Sequence, residues 1–218
     1  MSENKTRRSS SGESATMYQL KITLPDLPVW RRLRVRGDVN LGLLHAVIQV
    51  AMGWTNSHLH QFSIGKKRYS DPRTNDDMGF GEPDLDEEKA VLMEVVPRAK
   101  TKFIYEYDFG DSWEHYITVE KIHEPDTAHT GIAECLDGAC ACPPEDCGGI
   151  GGYADLLEII KDPNHEEHES MMEWLGGEFD PNAFDIEKVN KYLKKLKWPR
   201  TTESQLAKVL MERDDFRG

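Results

Sequence analysis

The fold is decided near the start of this chain of 218 residues by the stretch Tyr18-Gln-Leu-Lys-Ile-Thr-Leu-Pro-Asp-Leu-Pro-Val-Trp-Arg-Arg-Leu-Arg-Val-Arg36. Apolar and polar side chains alternate over residues 18–24 and again over residues 29–36, which is the period of a half-buried β-strand. The intervening Pro-Asp-Leu-Pro is typical of a turn, because each proline fixes its own φ angle and restricts the residue before it. The stretch therefore predicts a β-hairpin.

Downstream of the hairpin, the hydrophobic pattern changes to helical spacing. Asn40 can cap a helix whose apolar residues continue to Ala51, and Gly53 can end it. Residues 59–64 then favour another strand. A hairpin, a helix and a further strand form the opening order of a β-grasp-like sheet unit, which is an analogy of fold without functional content.

The second half of the chain predicts another hairpin and then a layer of helices. Residues 102–108 and 113–124 favour strands joined across Gly110. Residues 134–152, rich in cysteine, proline and glycine, are predicted to be irregular. Helices are predicted over residues 153–160, 163–175, 186–196 and 203–213, with Asp162 and Asp185 as caps. Strands first and helices afterwards indicate an α+β fold.

The two ends of the chain differ in composition from the middle. Residues 1–16 are rich in serine and charge and nearly free of large apolar side chains, so a disordered tail is predicted there. We expect a single α+β domain over residues 17–200 and a C-terminal helix or tail over residues 201–218. The polar segment 70–86 is predicted to be a long surface loop.

Charge and cysteine content limit the classes of function. With a formal net charge of −12, the chain as a whole is not expected to bind nucleic acid directly. The arginines of residues 31–36 are expected to lie on a solvated strand face. No apolar run approaches the roughly 18 residues of a membrane span. Four cysteines without an export signal favour a reducing compartment, so we expect a cytoplasmic protein without membrane contact.

The first concentration of polar chemistry is the segment Tyr-Glu-Tyr-Asp-Phe-Gly-Asp-Ser-Trp-Glu-His at residues 105–115. Asp108 and Asp111 flank the glycine of the predicted strand-to-strand turn. Two close carboxylates can hold a divalent cation or act as an acid–base pair, with Glu114 and His115 as further ligands or base. The alternative is a tight turn in which aspartate caps its own backbone and the tryptophan packs in the core.

The second concentration is the segment Cys-Ala-Cys-Pro-Pro-Glu-Asp-Cys at residues 140–147. Thiolates this close can converge on one tetrahedral metal, which makes zinc the candidate cofactor. Two histidines three residues apart on a predicted helix face the same way and could complete the site. The spacing lacks the two close cysteine pairs of the usual zinc site, and the alternative is a stiffened loop of buried, reduced thiols. The candidate ligands are Cys140, Cys142, Cys147, His165 and His168, with Cys135 as a further candidate.

A third group of polar residues follows the first helix, where His58 and His60 share one strand face. Such a pair can bind a metal, although histidines beside a core strand are more often ordinary polar positions. We hypothesise that the two main motifs converge on one pocket, because both collect polar groups in irregular segments. The candidate pocket residues are Trp54, His58, His60, Asp108, Asp111, Trp113, Glu114 and His115.

Several short motifs occur together across residues 18–198. They are Val-Trp-Arg-Arg at 29–32, Leu-His at 44–45, Gly-Trp at 53–54, His-Leu-His-Gln-Phe at 58–62, Tyr-Asp-Phe-Gly-Asp-Ser-Trp-Glu-His at 107–115, Cys-Pro-Pro-Glu-Asp-Cys-Gly-Gly at 142–149, Trp174, Phe-Asp-Pro at 179–181 and Phe-Asp at 184–185. In combination they resemble the plasmid open-reading-frame-three-like family, first named from a bacterial root-inducing plasmid, whose relatives include passenger proteins of insertion sequences. The resemblance implies a single α+β domain, and it brings no established activity, cofactor or catalytic residue.

Two functions from different classes fit these observations. The first, which we favour, is a non-enzymatic accessory or interaction protein associated with plasmids or mobile elements, binding a protein, a peptide or a small molecule. It fits the acidic composition and the lack of a complete catalytic motif in the sequence. The second is a metal-dependent hydrolase in which Asp108, Asp111 and His115 supply metal ligands or a general base.

Overall fold

The computed structural model of the chain describes residues 15–74, 83–126 and 131–212. Most of the predicted disordered tail and half of the predicted loop at 70–86 lie outside these ranges. The first strand begins at Ala15, so the last two residues of the predicted tail, 15 and 16, belong to the sheet instead.

The opening stretch forms the predicted hairpin. Strand β1 (Ala15–Thr23) pairs antiparallel with β2 (Trp30–Arg36), and Leu20 lies opposite Leu33 in the register. Both leucines are fully buried, because alternate side chains of each strand point toward the same side of the sheet. The hairpin prediction is confirmed.

The helix and strand that follow also agree with the sequence. Helix α1 (Leu41–Met52) begins where the side chain of Asn40 accepts a hydrogen bond from the backbone N–H of Leu43, and it ends at Gly53, whose φ of 105° is left-handed. A side chain at that φ would be strained, so glycine is the natural end of the helix. Every residue of α1 except Gly42 is buried. Other elements therefore cover the helix on the sides that do not face the sheet.

The described residues contain one sheet of eight strands in the order β5-β4-β3-β6-β7-β1-β2-β8. All neighbouring strands are antiparallel except β4 and β5. Strands β6 and β7 form the second predicted hairpin. The remaining strands are β3 (His60–Ile64), β4 (Lys67–Ser70), β5 (Leu85–Asp86), β6 (Lys102–Tyr107), β7 (Trp113–Asp126) and β8 (Ala133–Ala139).

Strand β8 corrects the prediction that residues 134–152 are irregular throughout. Cys135 pairs with Leu33 on the free edge of the hairpin, and the side-chain amide of Asn190 hydrogen-bonds both the N–H and the C=O of Cys135 at 2.8 and 2.9 Å. These partners lie far away in sequence, so the local composition could not reveal the strand.

Helices pack against this sheet in the second half of the chain, as an α+β fold requires. Side chains of the last helix enter the same hydrophobic core as those of the sheet, and the fifth helix contacts β8 and α1. None of the helices in the described ranges has the length and apolar composition needed to cross a membrane. The remaining helices are α2 (Leu92–Val95), α3 (Gly149–Lys161), α4 (His168–Leu175), α5 (Ile186–Leu193) and α6 (Glu203–Met211).

Two local predictions are wrong. The helix predicted from Pro163 begins only at His168, because Asp162 closes a turn: its Oδ1 accepts from the N–H of Asn164 at 3.0 Å, and its C=O accepts from the N–H of His165 at 2.9 Å. The arginine face of β2 is not wholly solvated either, since the residue at 31 is 3% exposed and the residue at 36 is 2% exposed.

Candidate functional site

An aromatic cluster in the interior carries the candidate site. The ring of Trp54 stacks on Tyr107 at 4.9 Å and meets His115 edge-on at 4.9 Å. Trp54 and Trp113 are each 2% exposed and His115 is fully buried, because positions 113 and 115 share the inner face of β7. The ring of His115 is therefore sealed inside the protein, whereas Trp113 contributes to the wall of a separate shallow cavity together with Asp111 and Glu114.

The cysteine-rich segment packs directly onto this cluster. The indole N–H of Trp54 donates to the C=O of Pro143 at 3.0 Å. The carboxylate of Glu145 accepts from the hydroxyl of Tyr107 and, at 3.2 Å, from the backbone N–H of Thr55. Three hydrogen bonds from two other segments thus fix residues 143–145.

The Asp-Phe-Gly-Asp turn touches the same segment from its other side. Oδ2 of Asp111 accepts from the backbone N–H of Gly148 at 3.1 Å. Gly149 has a φ of +66°, and a Cβ there would lie 2.7 Å from the C=O oxygen of Asp111. The two motifs that we hypothesised to converge are therefore in contact, and glycine is required where their backbones meet.

Where the motifs meet, His58 faces two carboxylates. Its Nε2 lies 3.6 Å from Oδ2 of Asp108 and 3.0 Å from Oδ1 of Asp146. Asp108 belongs to the turn, and Asp146 belongs to the cysteine-rich segment. In the described ranges, this is the one group of three His, Cys, Asp or Glu side chains whose ligand atoms lie within 4.8 Å of one another.

The three residues of the hydrolase alternative do not form a similar group. Asp111 bonds to Gly148, as described above, while Oδ1 of Asp108 accepts from the N–H of its own turn at Gly110, at 3.0 Å. Nδ1 of His115 lies 3.0 Å from the C=O of Tyr105, and burial lowers the pKa of His115 to about 4. Glu114 points to the opposite face of β7.

The predicted cysteine–histidine zinc site is not assembled either. His165 lies in the turn before α4 and His168 is the first residue of that helix, so the two are not on one helical face. Sγ of Cys142 lies 3.5 Å from the guanidinium of Arg31. Burial raises the pKa of Cys147 to about 12, so that thiol is protonated at neutral pH. Cys140 belongs to the same segment without joining a group of three ligands among the described residues.

A polar cavity of about 380 Å³ opens beside this site. In its wall the rings of His45 and His60 stack with centroids 3.5 Å apart and planes within 6°. Nε2 of His60 lies 2.8 Å from a carboxyl oxygen of Glu87. Burial lowers the pKa of His45 to about 3 and that of His60 to about 4, and it raises the pKa of Glu87 to about 7. The stacked imidazoles are therefore neutral, since two charged rings in contact would repel strongly.

A larger cleft of about 750 Å³ is lined in part by the cysteine-rich segment. Its walls come from the end of α1, residues 141–145, the end of α4 and the start of α5. Trp174 stands at its rim and is 49% exposed. The cleft is lined by the aromatic rings of Trp54, Trp174, Phe179 and Phe184 and by the carboxylates of Glu145, Glu173, Asp180 and Asp185, with Arg31 and Lys188 as the cations.

Comparison with known proteins agrees with the motifs. The family model described as "Plasmid pRiA4b ORF-3-like protein" matches residues 16–188. The chain belongs to this family. A relative from Sinorhizobium fredii, "Uncharacterized protein y4hQ", is 38% identical over 199 residues, covering 85% of this chain and 96% of the relative.

A solved structure shares the fold of this pRiA4b ORF-3-like chain. The crystal structure of "Protein of Unknown Function MM3350 from Methanosarcina mazei Go1" has a TM-score of 0.70 and 33% sequence identity, covering 81% of this chain and 99% of that one. Both relatives are described without a function. The family therefore identifies the chain, and its chemistry has to be inferred from the geometry of the site.

Sequence reasoning missed several residues of this region. In the sequence, Asp146 is a carboxylate inside a cysteine motif, and the neighbouring cysteines predicted thiolate ligands instead. His45 belonged to a matched motif on the first helix but was not assigned to the site, and Glu87, in a short 3-10 turn after β5, gave no local signal. Trp174 belonged to a matched motif, but its exposure depends on how α4 packs.

Proposed function

We propose that this member of the pRiA4b ORF-3-like family is a non-enzymatic interaction protein whose large cleft binds a basic segment of a partner protein. The observation that carries the proposal is the half-exposed ring of Trp174 at the rim of an acidic, aromatic cleft. Exposed tryptophans are enriched among the residues that dominate binding energy at interfaces.

The size of the cleft suits a peptide side chain and its flanking backbone. A volume of about 750 Å³ lies within the range of specific ligand sites. Trp174 and Phe179 supply aromatic surface on which a side chain can pack. An indole face attracts a guanidinium or ammonium group through its quadrupole, so the aromatic wall itself favours a cationic ligand.

The charges around the cleft favour the same ligand. Four carboxylates face two cations among its lining residues. Arg31 is committed to the structure, because its Nε and Nη1 donate to the C=O groups of Ala51 and Ala139 at 2.9 and 2.8 Å, and its guanidinium lies over the ring of Phe184. With four carboxylates against two cations the cleft is acidic on balance, and it would attract a basic segment and repel an acidic one.

Metal-dependent hydrolysis is the weaker of the two candidate functions. No common group joins the side chains of Asp108, Asp111 and His115, and the fully buried ring of His115 cannot reach a substrate.

We also propose a cytoplasmic location. All four cysteines lie in the described ranges and none forms a disulfide, which suits a reducing compartment.

A pair of labelled peptides tests the binding role. The first is a ten-residue peptide with a central arginine between apolar residues, and the second replaces that arginine with uncharged citrulline. We expect the arginine peptide to bind about five- to thirtyfold more tightly in fluorescence anisotropy, since a desolvated cation–π contact contributes roughly 1–2 kcal/mol.

Matched variants locate the binding. Trp174→Ala should weaken binding of the arginine peptide about tenfold, because it removes the exposed ring on which the arginine side chain packs. Phe109→Ala removes a ring of equal exposure, 49%, on the turn between β6 and β7, and should leave binding unchanged. Equal affinity for both peptides, or equal effects of the two variants, would rule out the cleft as a site for basic segments.

A further inference from the structure

We propose that His58, Asp108 and Asp146 bind a divalent first-row transition metal ion such as Zn²⁺. The three ligands come from the loop after α1, the β6–β7 turn and the cysteine-rich segment. A metal there would join three parts of the chain that are far apart in sequence. The site does not depend on the basic-segment cleft, since none of the three ligands lines that cleft.

The separations between the ligand atoms fit a common metal. Nε2 of His58 lies 3.6 Å from Asp108 and 3.0 Å from Asp146, and all three ligand atoms lie within 4.8 Å of one another. Two ligands bound to zinc at about 2.0–2.1 Å with tetrahedral angles are roughly 3.4 Å apart. Only small side-chain adjustments would therefore bring all three atoms to bonding distance.

An ion pair alone explains the arrangement less well. Nε2 of His58 is buried from solvent and makes no hydrogen bond of acceptable geometry, although two carboxylates lie beside it. A buried polar atom without a partner costs roughly 1–3 kcal/mol. A metal ion lying between the imidazole and the carboxylates would satisfy Nε2 by accepting its lone pair.

The ligands are held in place by the surrounding structure. Asp108 is 8% exposed, and its Oδ1 is occupied by the turn, which directs Oδ2 toward His58. The hydroxyl of Tyr107 accepts from the backbone N–H of Ser57 at 2.9 Å and donates to Glu145, the neighbour of Asp146. One phenol thus fixes the two segments that carry His58 and Asp146, as outer contacts do around metal ligands.

The donor set indicates the class of ion. Imidazole suits zinc, copper, iron and nickel, whereas magnesium and calcium prefer oxygen ligands alone. Three protein ligands leave one tetrahedral position for water, since the carboxylate of Asp146 lies at an exposed edge with 68% of its side chain accessible. The ligands need a neutral imidazole and ionised carboxylates, so binding should weaken as the pH falls.

Titration of the full-length protein, stripped with a chelator, tests the site. We expect one equivalent of Zn²⁺ to bind in isothermal titration calorimetry and to raise the melting temperature. Asp146→Asn should weaken Zn²⁺ about tenfold or more, the effect expected of a lost ligand. Asp155→Asn, an exposed carboxylate on α3, is the control and should bind as the wild type does. Because Asp146 is exposed, its variant should fold, which circular dichroism verifies.

Cobalt spectra separate this site from the cysteines. Co²⁺ bound to one imidazole and two carboxylates gives weak visible bands and no thiolate-to-cobalt charge-transfer band in the near ultraviolet. An intense charge-transfer band that disappears in Cys142→Ser would place the metal on the thiols and overturn the proposal. No binding by the wild type, or equal binding by Asp146→Asn, would overturn it as well.

Discussion

Replacing Glu87 with glutamine should stabilise the protein at alkaline pH and change it little at acidic pH. Glu87 is 4% exposed in the wall of the polar cavity, with an oxygen 2.8 Å from Nε2 of His60. Burial, the largest effect, raises the pKa of its carboxyl to about 7. Below that pH the carboxyl is neutral and can donate to the neutral imidazole of His60.

The direction of the effect follows from proton binding. The folded-state pKa of Glu87 lies above the ordinary value of 4.5, so the folded protein holds this proton more tightly than the unfolded chain. The associated stability is complete below about pH 4.5 and is lost as the pH rises through 7. A difference of roughly 2.5 pKa units is worth about 3 kcal/mol, of which most falls between about pH 5 and pH 8. Glutamine has no proton to lose and avoids this cost.

Urea denaturation followed by tryptophan fluorescence at about pH 5, 6.5 and 8 measures the free energy of unfolding. The difference between Glu87→Gln and the wild type should grow by about 2 kcal/mol or more across that range. Glu94→Gln, an exposed glutamate of α2, should show a constant difference near zero. A constant difference for Glu87→Gln as well would refute the argument that burial keeps this carboxyl neutral.

Other predictions concern the contact between the motifs and the sealed histidine. Gly149→Ala should destabilise the fold by about 2 kcal/mol or more, because a left-handed φ and a close C=O oxygen of Asp111 both oppose a side chain. Gly151→Ala, with open space around its Cβ, should instead stabilise helix α3 by up to about 1 kcal/mol in thermal unfolding. Burial depresses the pKa of His115 to about 4, so its stability contribution is present above pH 6.5 and lost as the pH falls through 4. NMR titration of its ring with a midpoint near 6.5 would contradict its burial.

Local patterns predicted the elements whose signals are local. The alternation of residues 18–36 gave the first hairpin, and Asn40 and Gly53 marked the ends of α1, because caps and strand periods involve neighbours in sequence. The second hairpin followed from Gly110 between two alternating runs. The same reasoning failed for β8, whose pairing partners are Leu33 and its neighbours on the edge of the sheet.

The candidate site was likewise predicted only in part from the sequence. The sequence singled out Asp108 and His58, since each lies close to other residues that can bind a metal: Asp108 to a second aspartate and His58 to a second histidine. It gave no indication that Asp146 would complete their group, nor that His115 would be sealed. Distances between side chains on separate segments depend on how the segments pack, and no spacing along the chain encodes them.

The α+β class, the two hairpins, the acidic charge and the two motifs of the family resemblance follow from the sequence alone. Each of these rests on composition or on contacts between near neighbours. The packing of distant segments, in contrast, places a carboxylate of the cysteine-rich segment against His58, raises the pKa of Glu87 in a cavity, and leaves Trp174 exposed. The physical reason is burial: desolvation and unpaired polar atoms arise only when distant segments close over one another.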